Sequence, residues 1–165
     1  MAKTIPLIAR LRCINRDINN LVDCLNYGGC GLFASRIGKA IHPYVDDLEC
    51  CVIAYPHNYD PDINLNTLKT NNSNLNSIRD WSENGVSFNH VVIRFKYRNK
   101  IWYYDSENLD NSGEYIDKYD GKILDGYLTV EEITNLSDNP VGWNPNFDRD
   151  DNIPIIEQII SQYIM

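Results

Sequence analysis

The stretch SFNHVVIRFKYRNKIWYYDSEN, residues 87–108, holds two runs rich in β-branched and aromatic residues around one polar break at Arg98 and Asn99. Such side chains suit a pleated, half-buried surface, so the pattern predicts an antiparallel hairpin. Its register decides what it carries. If Arg98 and Asn99 form the turn, Tyr97 faces Lys100, Val92 faces Asp105, and His90 lies diagonal to Asp105 on the same face. A turn shifted to Tyr97 and Arg98 sets the two directly opposite. Any even-length turn keeps them on one face, whereas an odd-length loop without a compensating bulge separates them.

An aspartate that accepts a hydrogen bond from one imidazole nitrogen fixes the tautomer and orientation of the ring, and leaves the other nitrogen free to take a proton. The natural proton donor is a thiol upstream. In NYGGCGLFA, residues 26–34, Cys30 stands between glycines just before an apolar run. Gly28 and Gly29 permit a sharp turn that would present Cys30 as the first residue of a helix, at the surface of a cleft. Unpaired N–H groups and the positive end of the dipole at a helix N-terminus favour a thiolate and can hold an oxyanion. The alternative for Cys30 is a small core residue beside a turn. Cys30, His90 and Asp105 together fill the roles of nucleophile, base and orienter.

Outward from these segments, apolar residues at Ile14, Ile18, Leu21, Val22 and Leu25 predict a helix with one buried face. A second helix is expected from Cys30 through Ile41, limited by Pro43. CVIAY, residues 51–55, reads as a buried strand. The polar, asparagine-rich stretch 56–86 reads as a surface insertion with one short helix, or as a lid facing substrate. Thr129 followed by Glu132 has capping-box spacing. Near the end, Asn152 as cap, Pro154 in the first turn and the apolar set Ile156, Ile159, Ile160, Tyr163 and Ile164 predict a docking helix. The 165 residues are read as a single α+β domain.

Composition limits the function classes. A formal net charge of -8, with no dense basic patch, opposes binding to a nucleic-acid phosphate backbone. No stretch has the length of a membrane span and the first residues do not read as a secretion signal, so a soluble, cytoplasmic protein is expected. Cys13, Cys24, Cys30, Cys50 and Cys51 form an odd set without framework spacing and are read as free thiols. A zinc site from His42, Cys50, Cys51 and His57 is disfavoured because adjacent cysteines are not the usual ligand arrangement. His42 and His57 are rival bases for Cys30, but His42 sits beside Pro43 with no evident orienter, and His57 begins the polar insertion. Asp148, Asp150 and Asn152 alternate like a calcium loop, but Ile153 occupies the position that needs glycine. No nucleotide or other cofactor fingerprint occurs, and no cofactor is expected.

GGCGLFA around Cys30, FNHVVIRF around His90 and IWYYDSEN around Asp105, in that chain order, resemble the papain-like superfamily and, within it, the transglutaminase-like cysteine peptidases. The aromatics Trp102, Tyr103 and Tyr104 just before Asp105 are similar to that family's pattern. WNPNFDR, residues 143–149, is similar to small microbial and phage-encoded proteins of this type. The resemblance implies a central helix carrying Cys30, packed on an antiparallel sheet that carries His90 and Asp105. It also implies chemistry through a thioester on a protein or peptide substrate: amide hydrolysis, deamidation, or acyl transfer to an amine. Papain has a glutamine before its cysteine that helps form the oxyanion hole. Here the nearest amides are Asn20 and Asn26, and Asn26 is the candidate donor, with backbone N–H groups as the alternative. A non-catalytic protein-binding module, such as an antagonist of a host system, would use the same fold.

Overall fold

The computed structural model describes residues 5–57, 63–71 and 75–164. Its architecture is α+β. Two helices come first, α1 (Leu7–Leu21) and α2 (Cys30–Ile41), followed by a 3-10 turn (His42–Tyr44) and strand β1 (Asp46–Pro56). Short helices α3 (Leu65–Asn71) and α4 (Ile78–Glu83) precede the hairpin β2 (Val86–Tyr97) and β3 (Lys100–Tyr104). Strand β4 (Leu109–Asp110), a second 3-10 turn (Glu114–Lys118), β5 (Lys122–Ile123), α5 (Val130–Asp138) and α6 (Arg149–Tyr163) complete the order. The sheet runs β4-β3-β2-β1-β5, with every neighbouring pair antiparallel.

The hairpin has the first of the expected registers. Tyr97 pairs with Lys100 and Ile93 with Tyr104, while Arg98 and Asn99 both take positive φ, 50° and 60°. Two left-handed residues in sequence are the geometry of a type I′ turn, whose twist matches that of the flanking strands. Asn99 tolerates this region through its short polar side chain, whereas Arg98 is held there by the pairing on either side.

One contiguous core runs from Leu7 to Ile164. Cys50, Val52 and Ala54 of β1 and Val91, Ile93 and Phe95 of β2 share one face by the two-residue strand period, and all enter this core. Helix α2 covers that face, with Phe33 edge-on to Tyr104 at 5.5 Å between ring centroids. The Tyr104 hydroxyl donates to the Leu11 carbonyl at 3.2 Å, which ties β3 to α1. A second, smaller cluster of Ile53, Val92 and Ile116 lies on the opposite face, lined by Tyr103, Tyr115 and Tyr119.

Three boundaries differ from expectation. Helix α1 starts at Leu7 because Leu7 and Leu11 extend the buried face of Ile14 and Ile18, and it ends at Leu21. Val22 and Leu25 stay buried beyond its end, where Cys24 turns the chain at φ 58°. Helix α6 is capped by Asp148, whose carboxylate accepts from the Asp151 N–H at 3.0 Å, so Asn152 and Pro154 lie inside the helix. The described part of the insertion forms two helices instead of one, and it is no mere surface excursion: Leu65, Leu68 and Trp81 are buried. Residues 58–62 and 72–74 of that stretch lie outside the described residues. Thr129 and Glu132 form the expected capping box at the start of α5.

Candidate functional site

Gly28, at φ +135°, makes the turn that leads into α2, and Gly29 is the helix N-cap. The glycines around Cys30 are also kept small by their neighbours. A Cβ on Gly29 would lie 2.6 Å from Phe147 Cζ, and one on Gly31 would lie 2.8 Å from Trp143 Cη2. The segment between α5 and α6 therefore lies directly against GGCG, with the Asn144 side chain donating to the Tyr27 carbonyl at 2.6 Å. Cys30 opens α2 as expected, but it is not displayed at the surface: only 4% of it is exposed.

His90 reaches the site through a bulge that the sequence pattern did not reveal. Ile53 of β1 pairs with His90 and the next residue, Ala54, pairs with Phe88, so Asn89 is an extra residue on β2. A bulge of this kind breaks the alternation and re-aims the side chains beside it. Phe88 joins the main core, edge-on to both Trp81 (5.2 Å) and Trp143 (5.6 Å). His90 lies at the seam between the two clusters and is fully buried.

Its Nε2 is 3.0 Å from Asp105 Oδ2. With that bond made, Nε2 keeps its proton and Nδ1 is the nitrogen left to gain or lose one. Nδ1 is buried without a hydrogen-bond partner. Cys30 is the thiol near enough to the ring to act on its charge. Burial opposes charge on His90, yet the hydrogen bond to Asp105 and the nearby Cys30 outweigh it, and the imidazole is raised from 6.5 to about 9. Burial likewise works against the Asp105 carboxylate, but the bond from His90 and those from its own turn hold it below 3.8.

The two readings of Asp105, as orienter and as turn former, divide between its oxygens. Oδ1 accepts from the backbone N–H groups of Glu107 (2.9 Å) and Asn108 (2.8 Å) and from the Asn108 side chain (3.1 Å). Oδ2 accepts from His90 and from the Tyr119 hydroxyl at 3.1 Å. The Asp105 carbonyl is held by Asn15 of α1 at 3.1 Å.

Asn26 is buried, its Oδ1 accepting from Ser106 Oγ (2.7 Å) and its Nδ2 donating to the Tyr119 hydroxyl (3.2 Å). A primary amide carries two N–H groups, so one donor remains beyond the bond to Tyr119. Asn20 is exposed on α1. His42 follows the far end of α2 from Cys30, and His57 bonds Ser87 Oγ at 2.6 Å, so neither shares the site. All five cysteines are free. Tyr119, Ser106 and Asn108 are the members that sequence reasoning missed. DSEN, which opens with Asp105, does carry a turn signature, but nothing in GEYIDKYDG marks Tyr119.

A cleft of about 540 Å³ borders the site, framed by Asn26, Tyr27, Phe88, Glu107, Lys118 and Tyr119. A larger hollow of about 840 Å³ runs along the Trp143 segment. Neither is lined by Cys30, His90 or Asp105; the smaller one is lined by Asn26 and Tyr119, whose side chains bond each other and, through the Tyr119 hydroxyl, Asp105. No helix among the described residues is long and apolar enough to cross a membrane. No family model, curated protein or solved structure matches the chain.

Proposed function

We propose that the protein is a cysteine-dependent hydrolase of papain-like, transglutaminase-like type, with Cys30 as nucleophile, His90 as base and then acid, and Asp105 as orienter. The observation that carries this reading is the buried His90 ring. One of its nitrogens is bonded to Asp105, and the other is unpartnered in the company of a thiol at a helix N-terminus. A buried polar atom without a partner costs stability, and such a cost is commonly retained where chemistry uses the atom.

In the reaction, the neutral form of His90 takes the Cys30 proton at Nδ1, giving a thiolate beside an imidazolium, and the thiolate attacks the carbonyl carbon of an amide. The oxyanion is met by N–H groups of the first turn of α2 and by the remaining Asn26 donor. The imidazolium then gives its proton to the departing amine, leaving a thioester on Cys30. Water, deprotonated by His90, releases the acid and restores the thiol. A primary amine in place of water would give acyl transfer with the same residues. The substrate is a peptide or isopeptide bond, or a glutamine carboxamide, in a protein segment seated in the cleft beside Tyr27 and Phe88.

Burial of Cys30 and His90 favours a second reading, a non-catalytic module that binds a protein partner on the same fold. Incubation of wild type and Cys30→Ala with a library of glutamine- and isopeptide-containing peptides separates the two. Under the enzyme reading, wild type alone converts amide to acid, or incorporates an added primary amine where transfer dominates. No conversion by either form, with retained binding of a peptide, would support the module.

A further inference from the structure

Tyr119 touches His90, Asp105 and Asn26. Its ring stacks on His90 with 4.0 Å between centroids and 22° between planes. Its hydroxyl donates to Asp105 Oδ2 at 3.1 Å, the same oxygen that receives His90 Nε2–H, and accepts from Asn26 Nδ2 at 3.2 Å. The segment that carries it is fastened on both sides. Ile116 is buried in the second cluster, and the Asn89 side chain in the bulge of β2 donates to the Asp120 carbonyl at 2.5 Å. Gly121 lies so close to β1 that a Cβ there would be 2.5 Å from the Ala54 carbonyl oxygen. The bulge that re-aims His90 thus also anchors the backbone beside the tyrosine that covers it.

We propose that Tyr119 is a positioning residue of this site, whose single hydroxyl keys the Asp105–His90 pair to the Asn26 amide. The inference rests on the cysteine-hydrolase reading. A phenol O–H shared with Asp105 Oδ2 withdraws negative charge from the oxygen that holds His90, and so tempers the pair. Its lone pair fixes which way the Asn26 amide faces. Among the described residues, the ionisable groups around the imidazole are Asp105 just after β3, Cys30 at the start of α2 and Tyr119 itself. Glu107 stands near the Tyr119 hydroxyl, and Lys118 lies 5.4 Å from the centre of the Tyr119 ring.

The test uses Tyr119→Phe, which keeps the stacked ring and removes the O–H, beside Tyr119→Leu, which removes both. The ring C–H resonances of His90 are titrated by NMR, with His42 and His57 as internal references, and the Asn26 side-chain amide is followed in the same samples. Tyr119→Phe should move the His90 midpoint upward by about one unit, leave His42 and His57 unmoved, and speed exchange of the Asn26 amide protons. Tyr119→Leu should show the same release of Asn26, with His90 opened to solvent. An unchanged His90 midpoint and an unchanged Asn26 amide in Tyr119→Phe would overturn the inference. The hydrolase reading is checked separately by the alkylation rate of Cys30 in His90→Ala. If that rate falls while Tyr119→Phe leaves both resonances unmoved, the positioning role alone is refuted. If it does not fall, the reading beneath it is refuted.

Discussion

At Asp105 and His90, two buried groups oppose burial with mutual charge and hydrogen bonding, and stability acquires a pH signature. The folded-state value of His90, about 9, lies above its ordinary 6.5. Its contribution is therefore complete below pH 6.5 and is lost as pH rises through 9. Asp105 is held below 3.8, so its contribution is present above that value and is lost as pH falls through the lowered one. The pair predicts a plateau between 3.8 and 6.5 with a decline on the alkaline side. Urea midpoints measured across pH should show that decline in wild type, and His90→Gln should flatten it. An identical alkaline slope in the two proteins would deny the raised value. The residue pair itself was legible: parity along the hairpin placed His90 and Asp105 on one face, and Tyr97 does pair with Lys100. The division of labour between the Asp105 oxygens was not legible, because one residue type serves both to close a turn and to hold an imidazole, and only the fold decides which oxygen does which.

Among the elements, α2 shows how a sequence string is read in more than one way. Its start at Cys30 and end at Ile41 follow from the glycines before it and Pro43 after it. What those glycines are for required the partner element: a sequence pattern has no signal for Trp143 and Phe147 arriving from more than a hundred residues away. Two effects of opposite sign meet at Gly31. Alanine is favoured over glycine in a helix by about 1 kcal/mol, while crowding a packed contact costs about 1–3 kcal/mol. A new Cβ would stand 2.8 Å from a Trp143 ring whose Nε1 is tied to the Leu136 carbonyl at 3.3 Å and which makes a T-shaped contact with Phe88. Crowding should win, and Gly31→Ala should destabilise by about 1 kcal/mol net. In a Trp143→Leu background the same change should become stabilising, since only helix propensity remains. Denaturant unfolding of the four proteins checks the reversal of sign. The bulge at Asn89 was likewise hidden, because one extra residue leaves no mark in a run that already reads as a strand.

For the whole molecule, the α+β class and the antiparallel hairpin came from periodicity, while the closure of the site came from packing. Composition placed eleven tyrosines in the chain, yet gave no reason to single out Tyr119 over Tyr115 or Tyr127. Tertiary geometry does so, by bringing one phenol between a helix start and two strands. The fold also supplies its own reference for reactivity. Cys24 is exposed, whereas Cys30 is buried beside His90. On access alone Cys24 should react first; on activation Cys30 should. The most direct test is the rate of iodoacetamide labelling at neutral pH, resolved by peptide mass spectrometry, in wild type and His90→Ala. The account predicts that Cys30 outpaces Cys24 in wild type and loses reactivity by a factor on the order of 10² in His90→Ala, with Cys24 unchanged. Labelling of Cys30 no faster than Cys24, and indifferent to His90, would contradict it.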